Sequence, residues 1–516
     1  MYRIGVDVGG TNTDAVIMEE THALESCKTP TTEDVMSGVL NALNAVLERS
    51  GVDRGEVDSV MIGTTHFTNA VVQRRNLAKT AAVRLGLPAT SSLVPMVDWP
   101  EDLRNVIGNH YALAHGGHEF DGREISEIDV DELKRIAGEI GEKGIQAVAI
   151  SAVFSPVNTE MENEAKLILE KELPDAHFSL SSDIGRVGLL ERENAAIMNA
   201  CLRELSDTTI TAFREALKQA GLSANFYLTQ NDGTLMSEKI ARQFPVLTFA
   251  SGPTNSMRGA AFLSGLKDAV VIDIGGTTTD VGALQKGFPR QAGVAVEIGG
   301  VRTNFRMPDV FSIGLGGGSH VLGKAGDVQV GPQSVGFRLT EESLIFGGST
   351  LTASDIAVAA GLTDFGEAAK VADQPKDLVD AAIAQMQEKL SVVVERMRLS
   401  PEPIPVIVVG GGSFLAKDQI GDLPVKRPEN YAVANAVGAA IAQISGEIDR
   451  IYTLTEQTRD KVLEEAKEEA IAKAVEAGAK KDTVEIVDVE DVPLAYLPGN
   501  ATRVRVKAVG DLDGNS

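Results

Sequence analysis

The chain has 516 residues, of which 43% are apolar and 23% charged, and it carries a net charge of −25. The length exceeds what one hydrophobic core usually organises, so two or three domains are expected. The acidic balance without a basic stripe excludes an ordinary nucleic-acid binder, and the lack of any run of eighteen apolar residues excludes a transmembrane helix.

At the N-terminus, Met1-Tyr2-Arg3 runs straight into Ile4-Gly5-Val6-Asp7, too short a lead for a secretory signal. The two cysteines, Cys27 and Cys201, cannot build a disulfide framework, and a reducing, cytoplasmic compartment is expected. Residues 4–14 read IGVDVGGTNTD: a buried strand with an embedded Asp7, then Gly9-Gly10-Thr11, Asn12 and Thr13-Asp14. The glycines predict a tight turn that a ligand can approach closely. The turn amides and threonine hydroxyls are what a phosphate cradle needs, and Asp7 stands where a carboxylate holds Mg²⁺ through water. Next, Val60-Met61-Ile62 predicts a strand leading into Gly63-Thr64-Thr65-His66-Phe67-Thr68-Asn69-Ala70. Thr64 and Thr65 there also suit a helix N-cap.

His110, His115 and His118 cluster beside Glu119 and Asp121. His-x-x-His spacing suits a metal, but Gly116-Gly117 and Asp121-Gly122 read as a solvated turn. Trp99, the only tryptophan, reads as packing.

Half a chain later the first motif returns. Ile272 to Asp280 reads IDIGGTTTD, placing Asp273, Gly275, Gly276, Thr277, Thr278 and Asp280 as the counterparts of the first loop. Two matched copies this far apart predict two related α/β halves rather than a short-period solenoid. Thr11, Thr13, Thr277 and Thr278 are assigned to phosphate oxygens, and Asp7 and Asp273 to Mg²⁺. Asp14 and Asp280 close the loops, either in catalysis or as caps on loop N–H groups. A third loop, Gly410-Gly411-Gly412-Ser413, follows the buried strand Val406–Val409. Small-residue helices are expected around Gly252–Ala261 and over Glu429–Ser445. Beyond Ile451, a charged helix over Gln457–Lys481 with Val462, Leu463, Ala466, Ala470, Ile471 and Ala474 at helical spacing precedes strands over Thr483–Val489 and Thr502–Val509 and a frayed end.

The order of these segments resembles the actin, Hsp70 and sugar-kinase superfamily: first phosphate loop, connecting helix, second phosphate loop, adenosine loop, second connecting helix. The resemblance implies two ribonuclease-H-like halves closing on Mg-ATP, with Gly410–Ser413 facing the adenosine. The boundaries expected on this basis are 1–195 and 196–447 for the halves and 448–516 for a small α+β appendage.

A narrower resemblance, to the hydantoinase A and 5-oxoprolinase family, spans nearly the whole chain. It rests on Gly63–Ala70, Glu191-Arg192 with Asn199-Ala200, and Asn231-Asp232-Gly233-Thr234 leading to Pro245-Val246 and Ser251-Gly252-Pro253. Ser312-Ile313-Gly314-Leu315-Gly316-Gly317-Gly318-Ser319 and Val330-Gly331-Pro332-Gln333-Ser334 complete it. It implies an ATP-dependent hydrolase subunit that phosphorylates the carbonyl oxygen of a cyclic amide or imide, with a second, hydantoinase B-type subunit completing ring opening and self-association of this chain type. Related subunits occur in acetone and acetophenone carboxylases, which keeps a carboxylase reading open beside that of a nucleotide-driven clamp. Thr64, Thr65 and Asn69, with Gly316, Gly317 and Ser319, are expected near the transferable phosphate, the substrate or an interface. The chain departs from the family in being shorter than its members commonly are, in the histidine segment, where the family usually has an Arg-containing strand, and at His66, which occupies an apolar position of the family pattern.

Overall fold

The computed structural model describes residues 2–32, 34–293, 295–324, 326–398, 402–452, 454, 458–494 and 501–513. The strand Tyr2–Val8 buries Ile4, Val6 and Val8 on one face, against the helix Val35–Ser50 and its neighbours. It turns back antiparallel into Asn12–Glu19 and then His22–Pro30, while Val57–Thr64 lies parallel on its other side. The second motif repeats this wiring: Ala269–Ile274 pairs antiparallel with Thr279–Gln285 and parallel with Val406–Val409. The repeat seen in the sequence is therefore a repeat of hairpin plus parallel partner.

The helix Val35–Ser50 illustrates how the layers are fixed. Asp34 caps it by accepting from the Met36 and Ser37 amides, Gly51 ends it at φ 68°, and Val39, Ala42, Leu43, Val46 and Leu47 form its buried stripe.

The first hairpin belongs to a nine-stranded sheet whose order, by first residue, is 485, 502, 443, 234, 225, 57, 2, 12, 22. The second belongs to a seven-stranded sheet. A four-stranded parallel sheet (His110–His115, Thr80–Leu87, Ala147–Ala152, His177–Leu180) is inserted in the first half.

This strand order moves the expected boundaries. Strands Asn225–Thr229 and Thr234–Ser237, assigned above to the second half, pair in the first half's sheet. The C-terminal segment extends that same sheet rather than standing as an appendage: Gln443–Tyr452 pairs with Thr502–Gly510, because Ile444, Ile448, Val504, Val506 and Ala508 bury one continuous face against the helix Arg459–Glu476. That helix lies directly on Gly446, where any Cβ would overlap the Ala470 carbonyl. Gln457, the expected helix start, is outside the described residues. The chain end is less frayed than expected, since Leu512 is buried and bridges to Ala479; residues 514–516 are outside the described set.

Two helices join the halves. Ser251–Ser264 and Ala434–Ala440 cross in close contact. The second is shorter than the expected Glu429–Ser445 because residues from Gln443 onward are taken into the sheet. Their small residues are required sterically. A Cβ on Gly259 would overlap the Ala434 carbonyl, one on Gly438 the Asn255 carbonyl, and one on Gly5 the Ala436 carbonyl.

Candidate active site between the two hairpins

In both halves the hairpin register sets the motif's two aspartates opposite each other, Asp7 against Asp14 and Asp273 against Asp280. The turns close identically: Gly9 N donates to the Asn12 carbonyl at 3.0 Å, and Gly275 N to the Thr278 carbonyl at 2.9 Å. Gly276 lies against Thr11, so the two Gly-Gly turns face each other.

Asp7 is buried, with one oxygen accepting from Asn255 Nδ2 at 3.2 Å and the other from Asn435 Nδ2 at 3.0 Å. Both amides come from the connecting helices. Burial, and then the Asp14 charge, push its carboxyl up to about 6, against the lowering effect of the two amides. Gly63 leaves the space this group needs, since a Cβ there would press on both Asp7 and Asn255. Asp14 Oδ2 accepts from Lys28 Nζ at 2.5 Å and from Asn435 Nδ2 at 2.9 Å, while its buried Oδ1 has no partner among the described residues.

Asp273 accepts from Ser256 Oγ at 2.5 Å, and burial raises its carboxyl. Asp280 accepts from Ser312 and is pushed up to about 6 by burial, with the nearby Asp273 charge adding to the effect. The Asp14 charge thus raises both Asp7 and Asp273, while Lys28 lowers Asp273. The buried Asp14 Oδ1 and the oriented carboxylates of Asp7 and Asp273 are hard-oxygen donors of the kind that suit a divalent cation held through its water shell, since among the described residues no three metal-ligating side chains come close enough to bind one directly.

The Gly410–Ser413 loop packs beside these carboxylates. Gly410 takes φ 89°, and a Cβ on it would overlap Asp273. Gly412 N donates to the Ile274 carbonyl at 2.7 Å. Gly411 is exposed beside the Lys28 side chain, whereas Gly412 and Ser413 are buried.

Several expected site residues sit elsewhere. Thr13 is fully buried with its hydroxyl 3.3 Å from that of Thr31, so it braces the first turn and does not face the opening. Thr11, Asn12, Thr277 and Thr278 remain accessible at the turns. Gly316, Gly317 and Ser319 are buried, not on an open loop. Gly317 N and Gly318 N donate to the Gly275 and Gly276 carbonyls at 3.1 and 2.7 Å, and Thr279 Oγ1 donates to the Leu315 carbonyl at 2.6 Å. The Gly-rich loop is therefore the backing of the second turn. Adding side chains there is blocked, because a Cβ on Gly316 would lie 2.6 Å from Thr277 N.

Thr64 is also buried. It exchanges hydrogen bonds with Ser251 (Thr64 N to Ser251 Oγ 3.2 Å, Ser251 Oγ to Thr64 O 3.0 Å), and its own hydroxyl accepts from His66 N, starting the helix His66–Gln73. Thr65 is half-buried against the Val8 carbonyl at 3.4 Å, and the exposed Asn69 donates to its hydroxyl at 3.3 Å. Of this trio, Thr65 and Asn69 reach solvent beside the first turn.

The histidine segment forms the strand His110–His115. His115 pairs with Glu132 at 3.1 Å, and among the described residues no group of three metal-ligating side chains occurs. His66 is half-buried edge-on to Phe67, and burial lowers its basicity. Trp99 packs in the core with Nε1 donating to Asn194 at 2.7 Å. Both cysteines are free and buried.

Sequence reasoning missed Lys28, Asn255, Ser256 and Asn435. The available signal was polar: an amide within each run of small residues, Thr254-Asn255-Ser256 and Ala434-Asn435-Ala436, and a lysine in register with Asp14 on the third strand.

No helix among the described residues is long and apolar enough to cross a membrane. Residues 3–173 match the model of the hydantoinase/oxoprolinase N-terminal region, and residues 192–364 match the hydantoinase/oxoprolinase model. Caprolactamase subunit alpha of Pseudomonas jessenii is 25% identical over 469 residues, which cover 85% of this chain and 65% of that one. The acetophenone carboxylase gamma subunit of Aromatoleum aromaticum is 25% identical over 395 residues, covering 69% of this chain and 53% of its own length. The crystal structure of ATP-dependent caprolactamase from Pseudomonas jessenii superposes with a TM-score of 0.78 at 19% identity, over 99% of this chain and 88% of that one. With two matched hairpins in an actin-like arrangement and both family models matched in order along it, the chain belongs to the hydantoinase/oxoprolinase family.

Proposed function

We propose that this chain is the ATP-using subunit of an enzyme that activates an unreactive carbonyl by phosphorylating its oxygen, with a cyclic amide or imide as acceptor and a second subunit completing ring opening. The observation that carries the reading is the facing pair of Gly-Gly turns, each with its own Asp pair, and Asn255 and Asn435 fixing Asp7 from both connecting helices. The amides of Gly10, Thr11, Gly276 and Thr277 line the turns where phosphate oxygens would sit, with Gly9 and Gly275 closing them. Gly411 borders the opening on the adenosine side, with Gly410, Gly412 and Ser413 shaping the loop beneath. Thr65 and Asn69, which reach solvent beside the first turn, are the residues assigned in this reading to the acceptor.

Asp7 and Asp273 would hold Mg²⁺ through its water shell, and the ion would neutralise phosphate charge during transfer. The chain's own part is positional: the turns align the phosphates, the buried amides keep Asp7 in one orientation, and Lys28 offsets carboxylate charge that would otherwise repel an anionic nucleotide. A resonance-stabilised lactam resists water, and phosphorylation of its oxygen supplies a leaving group.

The caprolactamase similarity favours the lactam acceptor. The acetophenone carboxylase similarity supports a second reading, in which a ketone or bicarbonate is phosphorylated. Phosphate release from Mg-ATP, assayed with the chain and its candidate second subunit, separates the two: dependence on a lactam, hydantoin or oxoproline supports the first, and dependence on a ketone with bicarbonate the second. Turnover indifferent to every small molecule but responsive to a protein would point to a nucleotide-driven clamp. Asp7→Ala and Asp273→Ala should each abolish Mg-dependent turnover while the chain stays folded, and undiminished turnover in both would refute the assigned roles.

A further inference from the structure

The helix His66–Gln73 begins beside the first Gly-Gly turn. The strand before it, Val57–Thr64, runs parallel to Tyr2–Val8 with Thr64 level with Val8. Thr65-His66 and Gly9-Gly10 therefore leave the same edge of the sheet, at the carboxyl ends of two parallel strands, where open α/β sheets bind their ligands. Thr65 Oγ1 donates to the Val8 carbonyl at 3.4 Å and ties the two departures together. Phe67, Ala70 and Val71 form the buried side of the helix, set in the core. Helical spacing groups His66 with Asn69 and Gln73 on another side, and both of those are exposed.

The His66 backbone N–H donates to the Thr64 hydroxyl at 3.2 Å, and its ring lies edge-on to Phe67. Neither ring nitrogen has a hydrogen-bond partner among the described residues. Neither is sealed from solvent, although the side chain is half-buried. The helix itself carries no charged residue, and the two elements packed most closely on it, Pro245–Thr248 and Val296–Ile298, bring only the exposed Glu297. Burial is thus what acts on the imidazole, and it lowers its basicity. The ring is uncharged at neutral pH, and one nitrogen has an open lone pair.

We propose that His66 is the base that takes the N–H proton of the acceptor while the carbonyl oxygen is phosphorylated, so that an N–H beside the carbonyl is part of what this site requires of its substrate. The inference rests on the lactam reading above. In the step, the carbonyl oxygen forms a bond to the γ-phosphorus, and the P–O bond to ADP breaks with its electron pair leaving on ADP. The ring C–N bond becomes C=N as the N–H bond breaks, and the proton passes to the open nitrogen of His66. The products are ADP, an O-phosphorylated imidate and an imidazolium, which returns its proton to water. Without a base the product would be an iminium cation. A small ring holds its amide cis, with N–H and C=O on one edge, so the base has to stand next to the phosphate site. A positioned base of this kind contributes about 10²-fold or more.

Phosphate release from Mg-ATP by the full chain with its candidate second subunit is measured with hydantoin, 5-oxoproline and caprolactam, each beside its N-methylated form. The N–H acceptor is expected to turn over at least tenfold faster. His66→Gln and His66→Leu should each lower kcat for it by about 10²-fold, with KM for ATP little changed and the unfolding midpoint kept, since no side-chain hydrogen bond is lost. The preference for N–H over N-methyl should collapse in both variants. Where the methylated forms give no turnover, imidazole added to His66→Ala decides: recovery of at least tenfold supports the role, and no recovery overturns it. Lactam-dependent turnover undiminished in the folded variants, or a loss shared equally by N–H and N-methyl acceptors, overturns the inference and leaves the lactam reading standing. No turnover with any N–H acceptor overturns both.

Discussion

Replacing Asp7 by Asn should make the protein more stable at neutral pH while destroying its ATP turnover. Burial and neighbouring carboxylates lift Asp7 from 3.8 to about 6. Because the folded-state value lies above the unfolded one, the folded chain holds this proton more tightly. The stabilisation that proton brings is complete below the unfolded value and is lost as pH rises through about 6. At pH 7.5 the ionised group is carried at a cost of about 3 kcal/mol, at about 1.4 kcal/mol per pKa unit. An amide is uncharged but offers one oxygen where the carboxylate offers two, so one of the bonds from Asn255 and Asn435 is lost, at about 1 kcal/mol. The net expectation is a gain of about 2 kcal/mol at pH 7.5, shrinking towards zero at pH 4. Urea unfolding without Mg²⁺, followed by the fluorescence of the buried Trp99 in the first half, measures it, and phosphate release measures the activity. A variant no more stable than the parent at pH 7.5, or a difference equal at both pH values, would refute the reasoning.

Asn435→Ala removes a donor shared by Asp7 and Asp14. Each lost charge-assisted bond is worth about 1.5–3 kcal/mol, so the acid limb of the turnover profile should move to higher pH, and turnover at pH 7 should fall at least tenfold. Lys28→Met leaves Asp14 and the Gly411 side of the opening without their cation; KM for ATP should rise at least tenfold, with Lys28→Arg recovering part of the loss. Gly438→Ala drives a Cβ into the Asn255 carbonyl where the helices cross, and overpacking against backbone should cost about 1–3 kcal/mol or more in urea unfolding. Gly10→Ala, with nothing within 4 Å of the added carbon, should leave the unfolding midpoint unchanged.

The hairpins were readable in the sequence because their information is local: apolar strand residues, a Gly-Gly turn and paired aspartates all fall within a dozen residues, twice. Asn255 and Asn435 were not, since their meaning arises only when two helices remote in sequence bring both amides to one carboxylate. The Gly314–Ser319 loop looked like an open substrate loop because glycine permits both flexibility and close packing, and only the neighbouring Gly275 and Gly276 carbonyls show that packing prevails. Thr13 and Thr11 read alike in the motif, but Thr13 lies inside the strand Asn12–Glu19, where its hydroxyl meets that of Thr31, while Thr11 and Asn12 stay accessible at the turn. Sheet order was not readable because it is nonlocal: strands from residues 225 and 502 complete a sheet begun at residue 2.

The glycine-lined crossing of the connecting helices has a mechanical corollary. The polypeptide passes from one lobe to the other through Ser251–Ser264 and returns through Ala434–Ala440 before rejoining the first sheet. The two helices are packed against each other at Gly259 and Gly438 with no space for a side chain. Because Asn255 and Asn435 sit on those two helices and hold Asp7 from both sides, any shift of one helix against the other would act on the orientation of that carboxylate.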